Sequence, residues 1–288
     1  MDNDITHDHL VKLQKYWEAF FFGVEVKIME SRIDIPSVAK EKKITNRIRK
    51  DTNKIQYLAP DILNLINDEF LPDDAYWAIG IINKDLYPRP GWNFIFGWSR
   101  LKKRTGIFSF ARYDPDFENK EEDSDIDNLV RVQINQKSIE LQDLILYRAC
   151  KTMTHEIGHM FGIKHWIYHE CLMNGTNRLE EGDLKPLLLC PICLRKLHYV
   201  IGFDIKERYE WLGNVLKTQF KHNKYFSSNY KEIESLISFE PLKISESQIN
   251  NELEIFNNNL ISTNSKEFFE IQDSSLFLAH SYTDDIEK

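Results

Sequence analysis

The chain has 288 residues, 42% of them hydrophobic and 12% aromatic, enough to bury one large core or two small ones. Its formal net charge of -8 argues against a nucleic-acid partner, because phosphate binding calls for clustered lysine and arginine. The longest apolar candidate for a membrane span, residues 16–29, is broken by Glu18, Glu25 and Lys27, and the first fifteen residues are too polar for a secretory leader, so an intracellular, cytoplasmic protein without a membrane partner is expected.

Residues 59–71, APDILNLINDEFL, place apolar side chains at 62, 63, 65, 66 and 70 and predict a helix. Three aromatic and β-branched runs follow, AIGIIN at 78–83, WNFIFGWS at 92–99 and GIFSFARY at 106–113. Punctuated by Gly and Pro, they predict the strands of a sheet that the first helix covers. Residues 114–127 carry eight acidic side chains against one lysine and predict a solvated loop. That loop lacks the glycine and closing glutamate of a calcium-binding EF-hand. From Ile139 the pattern turns helical and runs through ACKTMTHEIGHMFG to an end near Gly162. Residues 194–220 read as helix again, with a break near Gly202 and Phe203, and no internal repeat is evident. Beyond residue 221 the composition shifts to Asn, Ser, Lys and Glu, which predicts a polar, largely disordered tail over 221–288 that docks only short segments. A catalytic domain over 1–220 is therefore expected, with an upper part to about residue 162 and a lower part over 163–220.

The chemistry concentrates in HEIGHMFGIKHWIYHECLM, residues 155–173. A helix sets residues four apart on one face, so His155 and His159 offer two imidazoles to one point. Glu156 beside them is placed to take a proton from a metal-held water. Gly162, three residues past His159, can adopt the left-handed conformation that ends a helix and turns the chain back, which returns His165 to the same metal. Three imidazoles and one open position describe a catalytic zinc site. Of the four cysteines, Cys171, Cys190 and Cys193 follow the histidines in a chain without an export signal, so metal ligation outweighs disulfides. Cys150 lies five residues before His155 on another face of the helix and reads as core.

These residues closely resemble the archaemetzincins, metzincin-clan zinc metallopeptidases whose pattern is HExxHxxGxxHC, then Cys-x-Met, then a later CxxC. The likeness runs from about residue 152 to 209, including CLMNGTNRLEE and LCPICLRKL, and extends weakly upstream to NKDLYPRPGWNFIFGWS and GIFSFARY. It implies an α+β metzincin-like fold. An N-terminal mixed sheet with covering helices and an active-site helix would stand above a small helical, zinc-stapled C-terminal part. It also implies a methionine turn at Met173 beneath the histidines, a second, structural zinc on the cysteines, and peptide or protein substrates, some members being described as aminopeptidases. By the same likeness the edge strand Gly106, Ile107, Phe108 and Ser109 would pair with substrate backbone.

Where the family has a cysteine directly after the third histidine, this chain has Trp166, whose indole has no lone pair for zinc. Three arrangements stay open for the second site: Cys171, Cys190 and Cys193 with His169; the three cysteines with a water or Glu170; or no second metal. A rival functional reading is an inactive zinc fold that serves as a binding scaffold, and a third is a purely structural double zinc module.

Overall fold

The computed structural model describes residues 6–29, 34–50, 52–100, 102–115, 117, 131–176 and 179–238. Helix α1 (His7–Phe20) starts with a capping box, in which the Thr6 hydroxyl accepts from the His9 N–H and the His9 ring accepts from the Thr6 N–H. After the short α2 (Ile35–Glu41) come β1 (Asn46–Ile48) and β2 (Ile55–Leu58), then α3 (Ala59–Leu65), which continues as a π turn over Ile66–Phe70. The expected helix over 59–71 is thus present, loosened at its C-terminal end.

Two three-stranded sheets follow where a single sheet was expected. In the first, β2 lies between β1 and β4 (Asp85–Tyr87). In the second, β6 (Thr105–Ser109) lies between β3 (Ala78–Ile82), to which it runs parallel, and β5 (Gly97–Arg100), to which it runs antiparallel. The run at 92–99 yields only the short β5, preceded by a single bridge between Ile95 and Leu86. Arg112 secures β4 by a bidentate pair with buried Asp85 at 2.7 and 2.8 Å, and Gln56 of β2 donates to the same carboxylate at 2.7 Å. A buried charge of this kind is tolerable only when fully paired.

The position of β6 corrects one expectation. Gly106, Ile107, Phe108 and Ser109 do not form an exposed edge: their strand is central and buried throughout. Alternation along it sends Ile107 into a cluster with α2 and α3, including Ile35, Ile62 and Leu63, and Phe108 into the larger core against Met153 and Ile157. Gly97 pairs opposite Phe108, and a Cβ there would lie 2.7 Å from Phe108 Cε1. Because that ring is fully buried and rigid, Gly97→Ala is expected to destabilise the fold by about 1–3 kcal/mol, read as a lowered urea midpoint with an unchanged slope.

The long helix α4 (Arg131–Met160) packs against α1 and β5. Beyond it lie α5 (Leu179–Leu184), α6 (Pro191–Ile201), α7 (Ile205–Gln219) and α8 (Ser227–Ser238). Gly202, at φ +84°, ends α6 where the sequence predicts the break. Helical order continues past residue 220, which corrects the expected start of the tail. α8 packs on α7, burying Ile233, and Phe226 just before it joins the aromatic cluster of Tyr16 and Phe220. Residues 239–288 lie outside the described residues, as does most of the acidic run. No helix among the described residues is long and apolar enough to cross a membrane.

Candidate metal centre

The end of α4 builds the site. Gly162 sits at φ +81°, its N–H bonds the His159 carbonyl at 2.8 Å, and the Ile163 N–H reaches back to the Gly158 carbonyl at 3.1 Å. This pair of bonds is a Schellman stop, and it reverses the chain within one turn of the histidines. His165 returns accordingly. Its Nε2 lies 3.2 Å from His155 Nε2, and His159 Nε2 lies 3.0 Å from the same atom.

The other ring nitrogens fix the tautomers. His155 Nδ1 donates to the Leu172 carbonyl at 2.8 Å and His159 Nδ1 to the Ile163 carbonyl at 2.5 Å. A carbonyl only accepts, so each Nδ1 carries the proton and each Nε2 presents a lone pair. Lone pairs crowded at this distance repel unless a cation lies among them. Zinc–nitrogen bonds of about 2.0–2.1 Å at tetrahedral angles place nitrogens about 3.3 Å apart, close to the spacing here. The residues therefore fit zinc. Burial grades from His155, fully enclosed, through His159 to exposed His165, so the centre opens to solvent on one side.

Burial also keeps the rings in their ligand form. It holds His155 well below the usual imidazole range, helped by the Lys185 ammonium, and pushes His159 down to about 3, helped by His165. Glu156 is 1% exposed, and neither of its carboxylate oxygens has a hydrogen-bond partner among the described residues. That burial pushes its carboxyl up to about 8, against the pull of Lys185.

Stripped of metal, the chain depends on pH through these three groups in opposite senses. Below pH 6.5 the unfolded chain protonates imidazoles that the folded chain keeps neutral, so the contribution of His155 and His159 is intact above 6.5 and lost as pH falls toward the folded values. Glu156 acts oppositely, since its folded value exceeds the ordinary 4.5 and its contribution is lost as pH rises toward 8. Two rings against one carboxyl leave a net loss of at most about 1.4 kcal/mol per pH unit on acidifying from 6.5 to 4.5. In chelator-treated protein the urea midpoint is expected to fall less over this range in His159→Ala than in the unsubstituted chain; an equal fall in both would contradict a neutral buried ring at 159.

Around this centre, Met173 is fully buried directly beneath α4: a Cβ on Gly158 would lie 2.7 Å from its sulfur. Cys171, Cys190 and Cys193 form a second group, all buried and unoxidised, with sulfurs within 4.8 Å of one another. The backbone N–H groups of Cys190 and Met173 point at the Cys171 sulfur from 3.2 and 3.4 Å. Cys190 caps α6, where the helix dipole favours a thiolate.

The chain is similar to known proteins of one family. Residues 120–199 match the profile of peptidase family M54. Archaemetzincin-2 of Macaca fascicularis is 41% identical over 215 residues, 72% of this chain and 58% of that one. Archaemetzincin-1 of Homo sapiens is 34% identical over 205 residues, 68% of this chain and 40% of that one. The chain belongs to the archaemetzincin family. It spans little more than half the length of the archaemetzincin-2 relatives it matches. A solved archaemetzincin from Methanopyrus kandleri is similar at 26% identity and a TM-score of 0.46, over 68% of this chain and 87% of that one.

Against the archaemetzincin pattern, the structure brings together His155, His159 and His165, and separately the three cysteines. His169 does not join the cysteines. It is exposed, its ring stacks on Trp166 with centroids 6.1 Å apart, and Glu170 beside it is exposed as well. This corrects the arrangement with His169 as fourth ligand: closeness in sequence to Cys171 is not closeness in space, because the loop carries both side chains outward. Cys150 is buried core as expected.

Lys185 is the site residue that sequence reasoning missed. It is 8% exposed, with Nζ 3.2 Å from His155 Nδ1 and 3.4 Å from the Asn174 carbonyl. Burial first, and Lys151 second, push it down to about 7. Its placement follows from α5, which is clamped to α4 by a bidentate Arg148–Asp183 pair at 3.0 and 2.6 Å and by Lys151 donating to the Asp183 carbonyl. No local motif announces it.

Proposed function

We propose that this chain is a zinc-dependent peptidase acting on peptides from their amino end, with His155, His159 and His165 holding the catalytic zinc and Glu156 serving as general base and acid. The observation that carries this reading is the buried, unpartnered carboxylate of Glu156 beside three converging lone pairs. Leaving buried acceptors unsatisfied costs about 1–3 kcal/mol or more, a cost that a binding scaffold or a closed structural zinc module has no reason to retain.

Zinc in this position supplies Lewis acidity, polarising a scissile carbonyl and lowering the pKa of water toward about 7. Glu156 accepts the proton that the attacking water gives up as its oxygen bonds to the carbonyl carbon. It then donates that proton to the amine nitrogen as the C–N bond breaks. A carboxyl whose proton affinity burial raises toward neutrality suits both transfers. Leu172 and Ile163 hold the imidazoles in the required tautomer, and Met173 supports the helix turn from below. Substrate backbone would add to β5, the edge strand of its sheet that packs on α4. A second metal on Cys171, Cys190 and Cys193 would staple the loop after His165 to α6.

The test is a mixture of peptides with free and acetylated amino ends, incubated with zinc-loaded protein and followed by mass spectrometry. Stepwise loss of amino-terminal residues from the free peptides alone is expected. Cleavage inside acetylated peptides would overturn the direction, and product yields equal to a chelated control would overturn the peptidase reading.

A further inference from the structure

The cysteine group differs from the histidine centre in having no opening. Cys171, Cys190 and Cys193 are all within 4% of complete burial, and no other His, Cys, Asp or Glu among the described residues adds a ligand atom to them. Trp166, 7% exposed, belongs to the same apolar core. Lys196 stands one turn past Cys193 in α6, and its Nζ lies 4.8 Å from the Trp166 ring centroid.

The loop is pinned in this arrangement. The backbone N–H of Trp166 donates to the Met173 carbonyl at 2.9 Å, and the Asn174 side-chain amide donates to the carbonyls of Trp166 and His169 while its oxygen accepts from the Cys171 N–H at 2.7 Å. Bringing His169 to the sulfurs would break this set of bonds.

We propose that Cys171, Cys190 and Cys193 hold one soft metal ion through three thiolates and no fourth protein ligand, since the indole of Trp166, which stands in sequence where the family pattern has its cysteine, gives no lone pair. The inference rests on the reading that this group is a metal site. Its consequence is selectivity. Zinc in a structural site is held by four protein ligands, so a set of only three thiolates weakens zinc more than it weakens a softer ion such as Cd(II), which draws more of its binding from sulfur.

The test uses the full chain with its histidine centre filled by zinc, titrated with Cd(II) through the sulfur-to-metal charge-transfer absorption, with sulfur neighbours counted by X-ray absorption. One Cd(II) per chain with three sulfurs is expected. Trp166→Cys should add a fourth sulfur and tighten zinc at this site by about two orders of magnitude, the share of one ligand in a four-ligand site. Trp166→Phe and His169→Ala should leave both ions bound as before. A fourth protein ligand in the unsubstituted chain, or loss of the ion in His169→Ala, overturns the three-thiolate assignment while sparing the metal site. Failure of the unsubstituted chain to take up Cd(II) overturns the metal-site reading itself. Should Trp166→Cys not fold, the sulfur count on the unsubstituted chain decides alone.

Discussion

Glu156→Gln is expected to retain a full complement of zinc and to lose about 10²–10⁴-fold in peptide turnover. The carboxylate does not belong to the group of converging imidazole nitrogens, so exchanging one oxygen for an amide leaves the metal's ligands in place. The glutamine has the same shape but cannot shuttle a proton. Stability should not fall, because a neutral amide at a 1% exposed position is easier to bury than a carboxylate. Metal analysis and turnover measured on the same preparation check this. Retained turnover would show that the proton leaves by another route, and lost zinc would show that Glu156 holds the metal.

His159→Ala is expected to empty the centre. The ring supplies one of three Nε2 donors and is held for that task by its Nδ1 bond to the Ile163 carbonyl. Changes in partners that merely orient a ligand cost about 10–100-fold in metal affinity, and removal of a ligand should exceed that. Turnover should fall to the chelated background, with the zinc content one ion lower than in Glu156→Gln. Because α4 ends through backbone bonds at Gly158, His159 and Gly162, the helix itself should persist, with unchanged far-ultraviolet circular dichroism. Zinc bound as tightly as in the unsubstituted chain would sink the ligand assignment.

The histidine centre was legible because its geometry is local. A spacing of four on a helix and a glycine stop three residues later need no knowledge of distant contacts, and Gly162 takes the left-handed conformation this requires. The CxxC pair was legible for the same reason. Features set by long-range pairing were not. The sequence GIFSF reads alike for an edge and a central strand, and only the approach of β3 from one side and β5 from the other makes β6 central. The strand β4 was missed because Asp85 looks like a loop residue until Arg112 and Gln56 are seen to meet it. Helix α1 escaped notice since its cap uses His9 where a glutamate or glutamine would have signalled the box. Lys185 depends on the Arg148–Asp183 clamp across 35 positions and has no periodic signature.

The most direct test of the account is the coordination shell in a crystal of the zinc-loaded chain, located by anomalous scattering at the zinc edge. One ion is expected, bound by the Nε2 atoms of His155, His159 and His165, with a fourth position taken by no protein atom and turned toward Glu156. Imidazoles directed away from one another, or another side chain fixed in that fourth position, would contradict it.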